Sequence, residues 1–108
     1  MPKRGDIVLI PFPFSDLSGQ KIRPAVVISK QNKGSDIVVV FVTSKHKILK
    51  GVAVPVSPNQ TNGIKVSSVI VCDKIATLDK KTILGLIGTL DANLQSLVDK
   101  ALCTVLGL

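Results

Sequence analysis

The chain predicts a mainly β domain of the α+β class, a sheet or small β-barrel with one helix packed against it at the end. Three observations predict this. Apolar residues make up 45% of the 108 residues but aromatics only 3%, so the core must be built from Val, Ile and Leu, a β-branched mix that leans toward strands. Short apolar runs bounded by Gly, Pro, Asn and Ser fill the chain as far as Asp79, as strands separated by turns do. Beyond Asp79 the hydrophobic period becomes helical. Strands first and a helix last is an α+β or small-barrel order, and this length suits a single domain spanning residues 1–108.

The opening stretch "GDIVLIPFPF" reads as a first strand, Ile7 to Ile10, closed by the breakers Pro11 and Pro13. Phe12 to Ile22 is a loop rich in Ser, Asp and Gly. The second strand is Ala25 to Ser29, preceded by Arg23 and Pro24. A proline ring crowds the helical region for the residue before it, so Arg23 is held extended at the mouth of the strand. A polar turn, "KQNKGSD", leads to the third strand, "IVVVFVTS", whose unbroken apolar run implies burial on both faces.

The basic connection "KHKILKG" follows, then "VAVPV", which Pro55 confines to a sheet edge or a bulge. "SPNQTNG" is a turn cluster with Gly63 suited to positive φ, and "VSSVIVCDKIATL" is the fifth strand. "KKTILGLIGTL" reads as a helical turn and then a short strand from Leu86 to Leu90. Last, "DANLQSLVDKALCTVLGL" sets Leu94, Leu97, Val98, Ala101, Leu102 and Val105 at helical spacing behind Asp91 as N-cap. That is one amphipathic helix of about four turns.

Fourteen Lys and Arg face seven acids, all Asp, for a formal net charge of +7. A polyanion is the natural partner, with an acidic protein or a simple solubility surplus as the alternatives. The longest apolar run, Ile37 to Val42, is far short of the roughly 20 residues of a membrane span, and "MPKRGD" lacks a signal peptide's apolar region. A soluble cytoplasmic protein with no membrane partner is expected. Cys72 and Cys103 stand far apart without CxxC or His-rich spacing, so both are expected to be reduced core thiols and no zinc site is recognisable. The aspartates are scattered, with no spacing suited to a two-metal centre, and no phosphate-loop or dinucleotide motif occurs. No metal and no cofactor are expected.

An enzyme built from what remains would work with Arg, Lys, Ser, Thr and Asp. RNA cleavage suits that set, because RNA carries its own nucleophile in the 2′-hydroxyl. The protein then supplies alignment, proton acceptance and donation, and charge stabilisation at the phosphate. Arg23 offers a planar two-point grip on phosphate. Thr43 and Ser44 leave the third strand as "VTSK" and offer hydroxyls from a rigid support. Taken singly, Arg23 also reads as a salt-bridge partner and the hydroxyls as strand terminators. His46, the only histidine, reads as an exposed loop residue or a phosphate contact.

In "RGDIVLIPFPFSDLSGQKIRPAVVIS", "VTSK", "SSVIVCDKIATLDKK" and "IGTLDANLQSLVDKAL" the chain resembles, over essentially its whole length, the MazF/PemK (Kid) family of type II toxin–antitoxin ribonucleases. The order and spacing of these patches carry the resemblance. It implies an SH3-like barrel with a C-terminal helix, shared with CcdB-like toxins. It also implies a homodimer, metal-independent cleavage of single-stranded mRNA, a cognate acidic antitoxin, and contact with DNA only through the antitoxin complex.

Carried over by motif, Arg23 and Thr43 act at the scissile phosphate and Ser44 binds it. Asp73 corresponds to the base of an Arg-Cys-Asp triplet that here reads "VCD", with Val71 in the arginine position and Ala76 replacing another frequent arginine. Lys21, Lys45, His46, Lys47 and Lys50 are expected to bind the RNA backbone. Phe12 and Phe14 are the candidates for base stacking. A non-catalytic binding module of this fold and a gyrase-poisoning toxin are the competing readings.

Overall fold

The computed structural model describes residues 2–11, 21–30, 34–45 and 51–108. Six antiparallel strands form one curled sheet in the order β4-β5-β3-β2-β1-β6. They are β1 (Asp6–Pro11), β2 (Ile22–Val27), β3 (Asp36–Thr43), β4 (Ala53–Val56), β5 (Ser68–Asp79) and β6 (Gly85–Thr89). A single 3₁₀ turn, Lys80–Thr82, joins β5 to β6, and α1 (Ala92–Leu106) ends the chain. This is the expected α+β, mainly β plan: a half-barrel of SH3-like topology with one C-terminal helix.

The apolar run of β3 is buried on both faces, as its sequence requires. Val40 and Val42 point into a core shared with Ile7, Val26, Ile70 and the helix residues Val98, Ala101 and Leu102. Ile37, Val39 and Phe41 point into a second core with Val8, Ile10, Ala25 and Val27. The period of two along a strand divides one apolar run between two cores. Asp91 caps α1, its carboxylate accepting from the Leu94 N–H at 2.8 Å, and Gly107 closes the helix in the left-handed conformation. Among the described residues no helix is long and apolar enough to cross a membrane.

Three details depart from the sequence reading. β2 starts at Ile22, so Arg23 and Pro24 lie within the strand, paired with Ile10 and Leu9 of β1. Cys103 is exposed while Cys72 is buried, and both are free thiols. Cys103 follows the buried Leu102 by about 100° of helix, which turns it away from the sheet. Leu97, also expected on the core face, is 48% exposed.

The turn after β4 closes the curl. Asn62 is fully buried; its side-chain oxygen accepts from the Asn59 and Ile64 N–H groups, and its amide donates to the Ser57 carbonyl. The turn so formed lies on β6, where the Thr89 N–H donates to the Thr61 carbonyl at 2.8 Å. Gly63 has φ +68°, as expected. Gly88, which the sequence reading did not single out, is needed for close approach: a Cβ there would overlap the Thr61 carbonyl oxygen. The chain leaving one sheet edge thus covers part of the opposite edge strand, which would otherwise stand open.

Candidate active site

Two local irregularities build the site. β2 pairs with β1 from Ile22 to Val26 but with β3 only from Ala25 to Val27. Pro24 has no N–H with which to extend that ladder, and it stops at Ala25↔Phe41. Continuing the same register sets Arg23 opposite Thr43 at the point where the strands part. Both residues line a cavity of about 200 Å³, together with Lys45, Val71, Lys74 and Phe41. Arg23 is half-buried, and it also lines a second cavity of about 380 Å³ with Pro24, Ser44, Lys65, Ser68 and apolar side chains including Ile64 and Ile87.

The second irregularity is in β5. Phe41 pairs with Val71 but Val40 pairs with Ile75, leaving Cys72, Asp73 and Lys74 without β3 partners. This bulge interrupts the alternation of side chains along the strand. Before it, Ile70 and Cys72 belong to the helix-side core; after it, Ile75 packs there, while Ala76 and Leu78 pack on the other face.

Arg23, Thr43 and Lys45 therefore come together, while Ser44 lines only the second cavity. Lys21 and Asp73 are exposed and line neither cavity. His46, Lys47 and Lys50 lie outside the described residues, as do Phe12 and Phe14 of the first loop. Lys74 and Lys65 are the residues that sequence reasoning missed. Both were visible as charges, but nothing in the order of residues marked which face they would take.

The electrostatics of the smaller cavity follow from its lining. Among the described residues, Arg23, Lys45 and Lys74 contribute three cationic side chains and no acidic residue lines it, while Phe41, Val42 and Val71 supply apolar walls. Such walls lower the local dielectric and lengthen the reach of each charge. The Thr43 hydroxyl oxygen accepts from the Lys45 N–H at 3.2 Å, folding the strand end into a tight turn. That bond uses an oxygen lone pair, so the hydroxyl proton is not spent on it.

Cys72, in the bulge, is not a nucleophile at neutral pH: burial, and secondarily the negative charge of Asp73, push its thiol up to about 11. A thiol whose pKa is raised on folding holds its proton longer in the folded state. Its stabilisation is complete below about pH 9 and is lost as pH rises through 11. Denaturant unfolding compared between the wild type and Cys72→Val should show the wild type losing up to about 2–3 kcal/mol more across that window. Parallel pH profiles would show that the thiol titrates normally.

A family model described as PemK-like, MazF-like toxin of type II toxin-antitoxin system matches residues 3–106. The chain belongs to this family. Solved structures agree on the fold of the toxin. An endoribonuclease in complex with its cognate antitoxin from a mycobacterial species matches with a TM-score of 0.83 and 21% identity, over 100% of this chain and 97% of that one. The Mycobacterium tuberculosis toxin MazF-mt6 matches with 0.80 and 22%, over 95% and 97%. A chain of a MazE–MazF crystal structure from Deinococcus radiodurans matches with 0.78 and 24%, over 99% and 97%. No match among curated protein sequences was found. At these identities the structural likeness is one of fold, and the site has to be argued from this toxin's own residues.

Proposed function

We propose that this toxin is an endoribonuclease that cleaves single-stranded RNA through the 2′-hydroxyl, without a metal. The observation that carries the reading is the convergence of Arg23 and Thr43 with Lys45 and Lys74 in one cavity where two strands part. Family membership supports it, as does the likeness in fold to a mycobacterial endoribonuclease. The described residues gather no group of three or more His, Cys, Asp or Glu side chains able to hold a metal ion, so the reading relies on the chain's own cations.

In this reading the scissile phosphate enters the smaller cavity. The 2′-oxygen of the preceding ribose bonds to phosphorus, its proton passes to solvent, and the bond from phosphorus to the 5′-oxygen breaks as that oxygen takes up a proton. The products carry a 2′,3′-cyclic phosphate and a 5′-hydroxyl. Arg23 holds the charge that builds on the phosphoryl oxygens, and the Thr43 hydroxyl donates to one of them. Asp73 lines neither cavity and is given no proton in this scheme. Ser44 and Lys65, on the second cavity, hold the flanking nucleotide. An acidic segment of a cognate antitoxin suits the same cations and is the proposed inhibitor. A homodimer, which would bring two copies of the site together, is proposed as the assembly.

The test is incubation of purified toxin with mixed-sequence single-stranded RNA in EDTA, followed by mapping of the fragment ends. Cleavage at a short recurring sequence with 2′,3′-cyclic phosphate or 3′-phosphate ends is expected. Intact RNA beside a folded protein would overturn the reading and turn attention to a binding module or a gyrase poison.

A further inference from the structure

We propose that Lys74 is a catalytic residue of this site, a strand-mounted cation that donates to a non-bridging oxygen of the scissile phosphate together with Arg23. The inference rests on the ribonuclease reading above and adds a residue that neither the family match nor the sequence motif assigns.

Strand parity decides which side chains of β5 can reach the cavity. Val71 lines the smaller cavity, so in an unbroken β-strand Asp73 would share its face and Lys74 would point the other way. That other face, occupied by Ile70 and Cys72, is the helix-side apolar core, where an ammonium would be costly to bury. The bulge at Cys72, Asp73 and Lys74 reverses this assignment. Lys74 comes to the cavity with Arg23 and Thr43, and Asp73 does not. The carboxylate that a regular strand would have presented is exchanged for a cation.

The bulge is held from the far side. The Cys72 N–H donates to the Val52 carbonyl at 2.8 Å, and the Cys72 side chain is fully buried in the core. Lys74 is therefore mounted two residues from a fixed anchor, between two stretches of β5 that pair with β3. Lys45 lies instead in the turn that leaves β3. The chemistry has use for such a cation. As the 2′-oxygen adds to phosphorus, negative charge accumulates on the non-bridging oxygens, and a donor already in place stabilises the transition state more than the ground state. Val71 brings no charge to its part of the wall, and Lys74, three residues on, supplies one beside it.

The test compares the wild type with Lys74→Ala, Lys74→Gln, Lys74→Arg and Asp73→Asn under single-turnover conditions at saturating enzyme, in EDTA. Binding is measured separately with a 2′-deoxy substrate that cannot be cleaved. Lys74→Ala and Lys74→Gln are expected to slow the saturated step by ~10²-fold, the usual scale for loss of one transition-state donor, while binding weakens by about tenfold or less. Lys74→Arg restores most of the rate, and Asp73→Asn costs less than Lys74→Ala. Melting curves should superimpose, since Lys74 is exposed.

Three results would overturn the role: an unchanged saturated rate, a loss confined to binding, or a larger loss for Asp73→Asn than for Lys74→Ala. Failure of the underlying reading looks different. The wild type itself would then leave RNA intact, and the assignment of Lys74 would fall with it.

Discussion

Arg23→Ala is expected to slow RNA cleavage by ~10²–10³-fold while leaving the toxin folded. The expectation rests on where the side chain stands. Arg23 and Val42 line both cavities, and of the two only Arg23 carries a charge; it projects from a strand paired to β1 at Ile10. Its guanidinium is thus presented by rigid backbone to the place where the substrate phosphate is proposed to bind, and little reorganisation is needed as charge develops there. Arg23→Lys keeps the charge but loses the planar fork, so it should recover only part of the rate. If Arg23→Lys is as active as the wild type, the residue acts as a point charge and the two-point grip is wrong. If Arg23→Ala keeps full activity, the site lies elsewhere. Because Arg23 is half-buried, the melting temperature of each variant is the necessary companion measurement.

The second large effect is on stability. Asn62→Ala removes three hydrogen bonds made by one fully buried side chain: two accepted, from Asn59 and Ile64, and one donated to Ser57. The Ile64 N–H is buried and costs about 1–3 kcal/mol when left without a partner, while Asn59 and Ser57 are exposed residues whose groups can turn partly to water. With the loss of the buried side chain's own packing, the total should reach about 2–4 kcal/mol, or a fall in melting temperature of roughly 8–24 °C for a domain of this size. Gly88→Ala should destabilise by the same route, because its Cβ would drive the turn off β6. Asn62→Asp keeps the two accepted bonds and should be milder than Asn62→Ala unless the buried carboxylate outweighs them. A melting temperature unchanged in Asn62→Ala would mean that solvent reaches the turn and satisfies its backbone. Loosening this turn also loosens Ile64 and Lys65, which wall the larger cavity, so a loss of cleavage should accompany the loss of stability.

Much of this was legible in the order of residues. The alternating and continuous apolar runs located the strands to within a few residues, and Pro55 correctly marked an edge, β4. Asp91 and the 92–105 periodicity placed the helix, which the structure bounds at Ala92 and Leu106. These features follow from local physics: backbone preference, side-chain period and capping act within a few residues, so the sequence carries them directly. The meeting of Arg23 and Thr43 at one cavity was legible only as two strand ends rich in suitable chemistry.

What the tertiary structure decided was which faces those chemistries take. Along β5 the motif reading favoured Asp73 because it is aligned with a known triplet, and a regular strand would have set it on the face of Val71. A three-residue bulge moved it out and brought Lys74 in. A bulge arises from competition between strands for partners: β5 must pair with β3 on one side and β4 on the other while keeping Ile70, Cys72 and Ile75 in one core. The same holds for Pro24, whose missing N–H is plain in the sequence but whose effect depends on β3 lying alongside. Local composition thus determined the elements and the cationic character of this toxin. The register between strands distant in sequence decided which cations meet, because side-chain direction in a sheet reverses with every residue gained or lost.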